Sequence, residues 1–198
     1  METFFQFDGH SFAIKTALLS AHLNDPVWCD KSNRGQRKEL SWALAIEAYE
    51  AEVNDEVIAP SVAIDDLAIS PTNWTELAGI VTQWTTAIRR ETDDRYGMTY
   101  VWDHSLISAC KVEIGERSGD SFAITVAGVN EVQEHFQISA IARFAGIHVY
   151  FSGADNAASV AERLATSVDI SNLIPSSFRS TGAKYNAGYV VFAPAEAA

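Results

Sequence analysis

The chain has 198 residues, 47% hydrophobic and 20% charged, and its 26 acidic against 14 basic side chains give a formal net charge of −12. A chain of this length buries roughly 70% of its unfolded surface, enough for a core without metal or disulfide staples, and the aromatic content and lack of repeats exclude disordered, collagen-like and coiled-coil classes. The acidity argues against nucleic acid and anionic membrane surfaces as partners, because both require clustered Lys and Arg.

The opening Met1-Glu2-Thr3-Phe4-Phe5 has no basic, apolar or small-residue pattern of a secretory signal, and no stretch approaches the ~20 apolar residues of a membrane span. The expectation is a cytoplasmic chain forming a single domain over residues 1–198. There Cys29 and Cys110, far apart and without CxxC spacing, are expected as free thiols.

Thr3, Phe5 and Phe7, then Asp8-Gly9, then His10, Phe12 and Ile14 predict a hairpin on a type I′ turn. That register faces Phe7 with His10, Phe5 with Phe12 and Thr3 with Ile14. From residue 17 to 38 the pattern weakens into a short apolar stretch and a polar loop. Its Lys31, Arg34, Arg37 and Lys38 form the one basic cluster, read as a solvated loop because no phosphate-cradling glycine pattern accompanies it.

Residues 40–53 fit a helical stripe and a strand alternation equally well. The continuation through Asn54-Asp55 to β-branched Val57, Ile58, Val62 and Ile64 favours a hairpin with Pro60 at an edge or bulge. From residue 71 a helix capped by Thr72 or Asn73 competes with a strand over 80–90, and the strand is preferred for its Val, Thr, Ile and Trp content. Strands follow over 99–102 and 105–116, a turn at Ser118-Gly119-Asp120, and strands through Phe122 to Val126 and Phe136 to Phe144. Ala145-Gly146 breaks the last of these, and Ile147, Val149 and Phe151 restart it.

One helix is predicted, capped by Asp155 or Asn156, with Val160, Leu164 and Val168 on its apolar side and Pro175 ending it. A strand over 189–192 precedes a loose tail at 193–198. The fold class is therefore mainly β, an antiparallel sandwich or strongly curled sheet with one amphipathic helix near the C-terminus.

The common nucleotide, zinc, hydrolase and calcium motifs are missing, so no cofactor, metal or catalytic set is assigned. The five histidines, His10, His22, His104, His135 and His148, can converge only through tertiary structure; His148 falls on the less buried face of its strand. Tyr100, Asp103 and His104 are the candidate ligand site, an imidazole beside a carboxylate, although a turn or strand end is the simpler reading of Asp103-His104. Trp28 and Trp74 read as plugs at a sheet edge.

The strongest signal is electrostatic. No Lys or Arg lies between Lys38 and Arg89, whereas the stretch from Glu47 to Glu76 holds eight carboxylates, Glu47, Glu50, Glu52, Asp55, Glu56, Asp65, Asp66 and Glu76. Like charges so concentrated persist where solvent or a cationic partner screens them. In composition alone the chain is similar to the immunity proteins that neutralise bacterial toxins. The expectation is a non-enzymatic protein-binding module that docks a basic protein through Glu47, Glu50, Glu52, Asp55, Glu56, Asp65 and Asp66. The alternative is an enzyme or small-ligand binder around Tyr100, Asp103 and His104.

Overall fold

Alternating apolar and polar side chains dictate strands through most of the chain, and the computed structural model forms them. It describes residues 2–24, 40–87, 96–152, 156–165, 167–180 and 187–195. The strands are β1 (Phe4–Phe7), β2 (His10–Phe12), β3 (Ile14–Asn24), β4 (Ser41–Ala48), β5 (Ala51–Val53), β6 (Glu56–Ile58), β7 (Ser61–Leu67), β8 (Ile80–Trp84), β9 (Gly97–Tyr100), β10 (His104–Ser118), β11 (Ser121–Asn130), β12 (His135–Ser152), β13 (Leu173–Ser180) and β14 (Ala187–Pro194). A 3-10 turn (Trp74–Glu76) precedes β8, and the helix α1 (Ala157–Leu164) follows β12.

The hydrogen-bonded path β11-β10-β9-β7-β4-β3-β12 closes on itself through β11–β12, a barrel of seven strands. Outside this ring β1 and β2 continue from β12, β8 pairs with β10, and β14 and β13 follow β12, while β5 and β6 form a separate two-stranded arm. The expected class, mainly β with a strongly curled sheet and one helix near the C-terminus, is what forms. Among the described residues no helix is long and apolar enough to cross a membrane.

The chain divides into two compact units. The first is Met1–Leu19, Trp42–Ile69 and Leu77–Arg143; the second is Ser20–Ser41, Ser70–Glu76 and Phe144–Ala198.

In the first unit the opening hairpin has the expected register, Phe7 facing His10 and Phe5 facing Phe12, around Asp8 (φ 45°) and Gly9 (φ 82°). Positive φ at both central residues is what a type I′ turn requires. The expected Thr3–Ile14 pair does not form. The chain leaves β2 at Phe12, the Ala13 carbonyl accepts from the Tyr49 backbone N–H at 2.9 Å, and Ile14 opens β3 instead.

Residues 40–53 are strand, as expected, with Trp42, Leu44, Ile46 and Ala48 buried. Asn54 (φ 53°) and Asp55 (φ 66°) make the turn of the arm, and Pro60 stands between β6 and β7, its carbonyl accepting from the Ala48 N–H at 2.8 Å. A residue without an N–H costs the ladder nothing at such a break. The strand expected over 80–90 is β8, with Thr82 and Trp84 inward; residues 88–90 lie outside the described residues. Phe122, Ile124, Val126, Phe136 and Ile138 complete the interior, each at most 3% exposed. Each such side chain contributes about 1.5–3 kcal/mol relative to an exposed one.

Three further expectations are corrected. The weak pattern after residue 17 is a strand, the eleven-residue β3, in which Ala17, Leu19, Ala21 and Leu23 point inward; the basic loop and Trp28 lie outside the described residues. The polar stretch after Pro175 is β13, which pairs with β14 from Leu173↔Pro194 to Ser180↔Gly188 and carries a bulge between Pro175 and Ser177. The same pairing draws Ala193 and Pro194 into β14, out of the expected loose tail.

In the second unit the break expected at Ala145-Gly146 is a change of phase inside one continuous strand. Phe144 is buried, Gly146 takes φ 112°, and Ile147, Val149 and Phe151 carry the inward face onward. Trp74 is a plug, as expected, stacked on Phe144 at 4.9 Å and donating its indole N–H to Asn172 at 3.0 Å. The helix is capped by Asn156, whose side-chain oxygen accepts from the Ser159 N–H. It ends at Leu164, one turn before the buried Val168.

Candidate functional site

In an antiparallel ladder alternate connections emerge at the same end, so distant turns can share a rim. In the first unit Glu47 faces Ser61, Ser61 faces Tyr100, and Tyr100 faces His104. Beyond them Ile107 faces Asn130, Val129 faces His135, and the Asp8 N–H donates to the His135 carbonyl at 2.8 Å. This sequence of neighbours sets four connections side by side: the arm at 49–60, the β9–β10 turn at 101–103, the β11–β12 turn at 131–134, and the Asp8-Gly9 turn.

These four connections hold Asp8, Glu50, Glu52, Asp55, Glu56, Asp103, Glu131 and Glu134, and no Lys or Arg. On the arm, Glu50, Glu52, Asp55 and Glu56 are exposed and make no ion pair among the described residues. The rim also holds four of the nine exposed large apolar side chains among the described residues, Tyr49, Val57, Trp102 and Val132, with Val57 70% exposed. Apolar anchors inside a charged border are the usual anatomy of a protein-binding patch.

The expected acidic set is only partly brought together. Glu50, Glu52, Asp55 and Glu56 share the arm. Glu47 lies at its base and pairs with Lys15 at 3.8 Å. Asp65 and Asp66 lie further along β7, away from the arm, and each has an interaction partner. In their place the rim gains Asp8, Asp103, Glu131 and Glu134, which sequence reading leaves out of the acidic set because they are scattered along the chain, Asp103 being grouped there with Tyr100 and His104.

Tyr100, Asp103 and His104 do converge, at the tip of the β9–β10 hairpin. The rings of Tyr100 and His104 meet edge-on at 4.2 Å, but the Asp103 carboxylate accepts from the His104 backbone N–H at 2.7 Å, not from its ring. That bond caps the turn, so Asp103 does not orient the imidazole.

A buried amide shapes the next turn. Asn130, 0% exposed, donates to Glu134 Oε2 at 2.6 Å and Thr99 Oγ1 at 3.2 Å, and accepts from the Glu134 N–H at 2.9 Å. Glu131 accepts from the Leu106 N–H at 3.0 Å, fixing the turn to β10.

Beside the rim a trough of about 720 Å³ crosses the outer face of β8, β10, β11, β12 and β1. One row of the sheet, Gln6, Gln137, Ala127, Lys111 and Gln83, runs across it in register, and Ala109, Ala127 and Gly128 keep its floor low. Lys111 is ion-paired with Glu113. The amides suit hydrogen bonding to an extended chain. Cys110 beneath is a free thiol pushed up to about 12 by burial, which makes it unreactive at neutral pH; Cys29 lies outside the described residues. Among the described residues no group of three or more His, Cys, Asp and Glu is placed to hold a metal.

In the second unit His148 on β12 is hydrogen-bonded through Nδ1 to the Tyr189 hydroxyl on β14, with His22 of β3 at 4.9 Å between ring centroids. Burial, then the neighbouring His22, pull His148 down to about 4. The unfolded chain therefore binds more protons than the folded one between its ordinary value of 6.5 and about 4. Stability attributable to His148 is full above pH 6.5 and declines as pH falls through that window. Urea denaturation at pH 7.5, 5.5 and 4.5 is expected to show this loss, and His148→Gln to flatten the slope; equal slopes in both proteins would contradict it.

No protein-family model, curated protein or solved structure matches this chain.

Proposed function

We propose that the chain is a non-enzymatic binding module whose acidic rim docks a basic protein. The observation that carries this reading is the coincidence, on one edge of the first unit, of eight carboxylates, no Lys or Arg, and four exposed apolar side chains. The carboxylates raise the encounter rate with a cationic surface, and the effect weakens as salt screens it. Tyr49 and Trp102 then offer rings on which Lys or Arg heads stack. The arm is the leading contact, since Glu52 and the exposed Val57 face the same way across β5 and β6.

The test compares two charge reversals of equal size. One changes Glu50, Glu52, Asp55 and Glu56 to Lys; the other changes Glu2, Glu76, Glu116 and Asp120 to Lys, away from the rim. Association with an immobilised folded protein of pI above 9 is followed at 20 and 150 mM salt. The rim reversal is expected to slow association by about tenfold or more at low salt, with the second set closer to wild type. Trp102→Ala and Tyr49→Ala are expected to speed dissociation. Equal losses in the two reversals would show that net charge alone acts and would overturn the rim.

A further inference from the structure

Among the described residues of the second unit, one buried side-chain nitrogen has no hydrogen-bond partner. His148 uses Nδ1 on the Tyr189 hydroxyl, whereas its Nε2 is buried and has no hydrogen-bond partner. An orphaned buried polar atom costs about 1–3 kcal/mol, and in a native fold it marks strain or an absent occupant. The Tyr189 side lies toward β14, and His22 stands on β3, a different neighbour of β12.

We propose that His22 and His148 form a two-imidazole seat for a divalent transition-metal ion, bridging β3 and β12, with water completing its coordination. Imidazole nitrogen suits zinc, nickel and copper, and it ligates in its neutral form. Tyr189 supplies the outer contact that ligating histidines use: with Nδ1–H donating to the phenol oxygen, the Nε2 lone pair is free for the ion. A hydroxyl can donate or accept, so the phenol holds either tautomer and the switch releases no proton. Ser20 Oγ lies 3.5 Å from His22 Nε2, and Tyr150 packs on Tyr189 at 5.3 Å, so the second imidazole and the phenol are themselves supported. The buried thiol of Cys110, protonated at neutral pH, does not compete.

The test uses the full chain stripped with EDTA and dialysed, with Ni²⁺ alone as the probe at pH 7.5. Calorimetry is expected to show one ion per chain. Paramagnetic broadening is expected at the imidazoles of His22 and His148, with those of His10, His104 and His135 remaining sharp. His148→Ala and His22→Ala are each expected to weaken binding at least tenfold, and Tyr189→Phe by about 10-fold. Because the broadening pattern is read on the wild-type chain, it decides the matter even where a variant does not fold. Uniform broadening of all five imidazoles, no saturable binding, or undiminished affinity in folded His148→Ala would overturn the seat.

Discussion

Asn130→Leu is expected to destabilise the protein by about 3 kcal/mol, more than any surface substitution on the rim it supports. Leucine keeps the branched skeleton of the amide, with bulkier methyl groups, at the same fully buried position. What it removes is the partner of the Glu134 N–H, the donor to the Glu134 carboxylate, and the donor to Thr99 Oγ1. Each polar group so stranded carries a desolvation cost of about 1–3 kcal/mol, only partly offset by the apolar gain of leucine. Urea denaturation reads the loss directly.

Asn130→Asp provides a second reading. The acceptor to the Glu134 N–H survives, but a carboxylate then faces the Glu134 carboxylate where a donor stood, and the pair favours a shared proton. A carboxyl raised above its unfolded value contributes stability at low pH that is lost as pH rises. The Asn130→Asp deficit is therefore expected to be larger at pH 7 than at pH 4.5, whereas the Asn130→Leu deficit changes little. Loss of less than 1 kcal/mol in Asn130→Leu would show that water satisfies the turn in place of the amide.

Gly146→Ala is the second large effect, also about 3 kcal/mol, and it has two separable causes. A side chain at φ 112° is strained by about 1–3 kcal/mol. A Cβ there also meets the Phe192 carbonyl oxygen at 2.6 Å and Val191 Cγ1 at 2.8 Å, so β14 must move. Gly9→Ala isolates the first cause, because Gly9 takes φ 82° with nothing within 4 Å of an added Cβ. The difference between the two midpoints in urea measures the cost of displacing β14. Equal losses would assign the whole effect to backbone strain and free β14 of any role in holding the phase change.

The strands that the sequence makes legible are those whose inward residues are large and regularly spaced. Trp42, Leu44 and Ile46, and Phe122, Ile124 and Val126, announce their buried face by period alone, since side chains alternate along a strand. The turns at Asp8-Gly9 and Asn54-Asp55 are equally local, because positive φ is a demand on two residues. β3 was hidden by its alanines and adjacent leucines, which suit a helix as well as a strand. β13, with Pro175 and three serines, has little strand preference of its own and takes its conformation from pairing with β14.

For the candidate site the division is the same. The sequence by itself determined that the acidic charge is concentrated and that residues 50–56 carry much of it on a hairpin. Only the tertiary structure decided that Asp8, Asp103, Glu131 and Glu134 join it, that Asp65 and Asp66 do not, and that His22 meets His148. Alternation and turn chemistry are properties of a few neighbouring residues, whereas strand pairing is a choice among distant partners, made by the core as a whole.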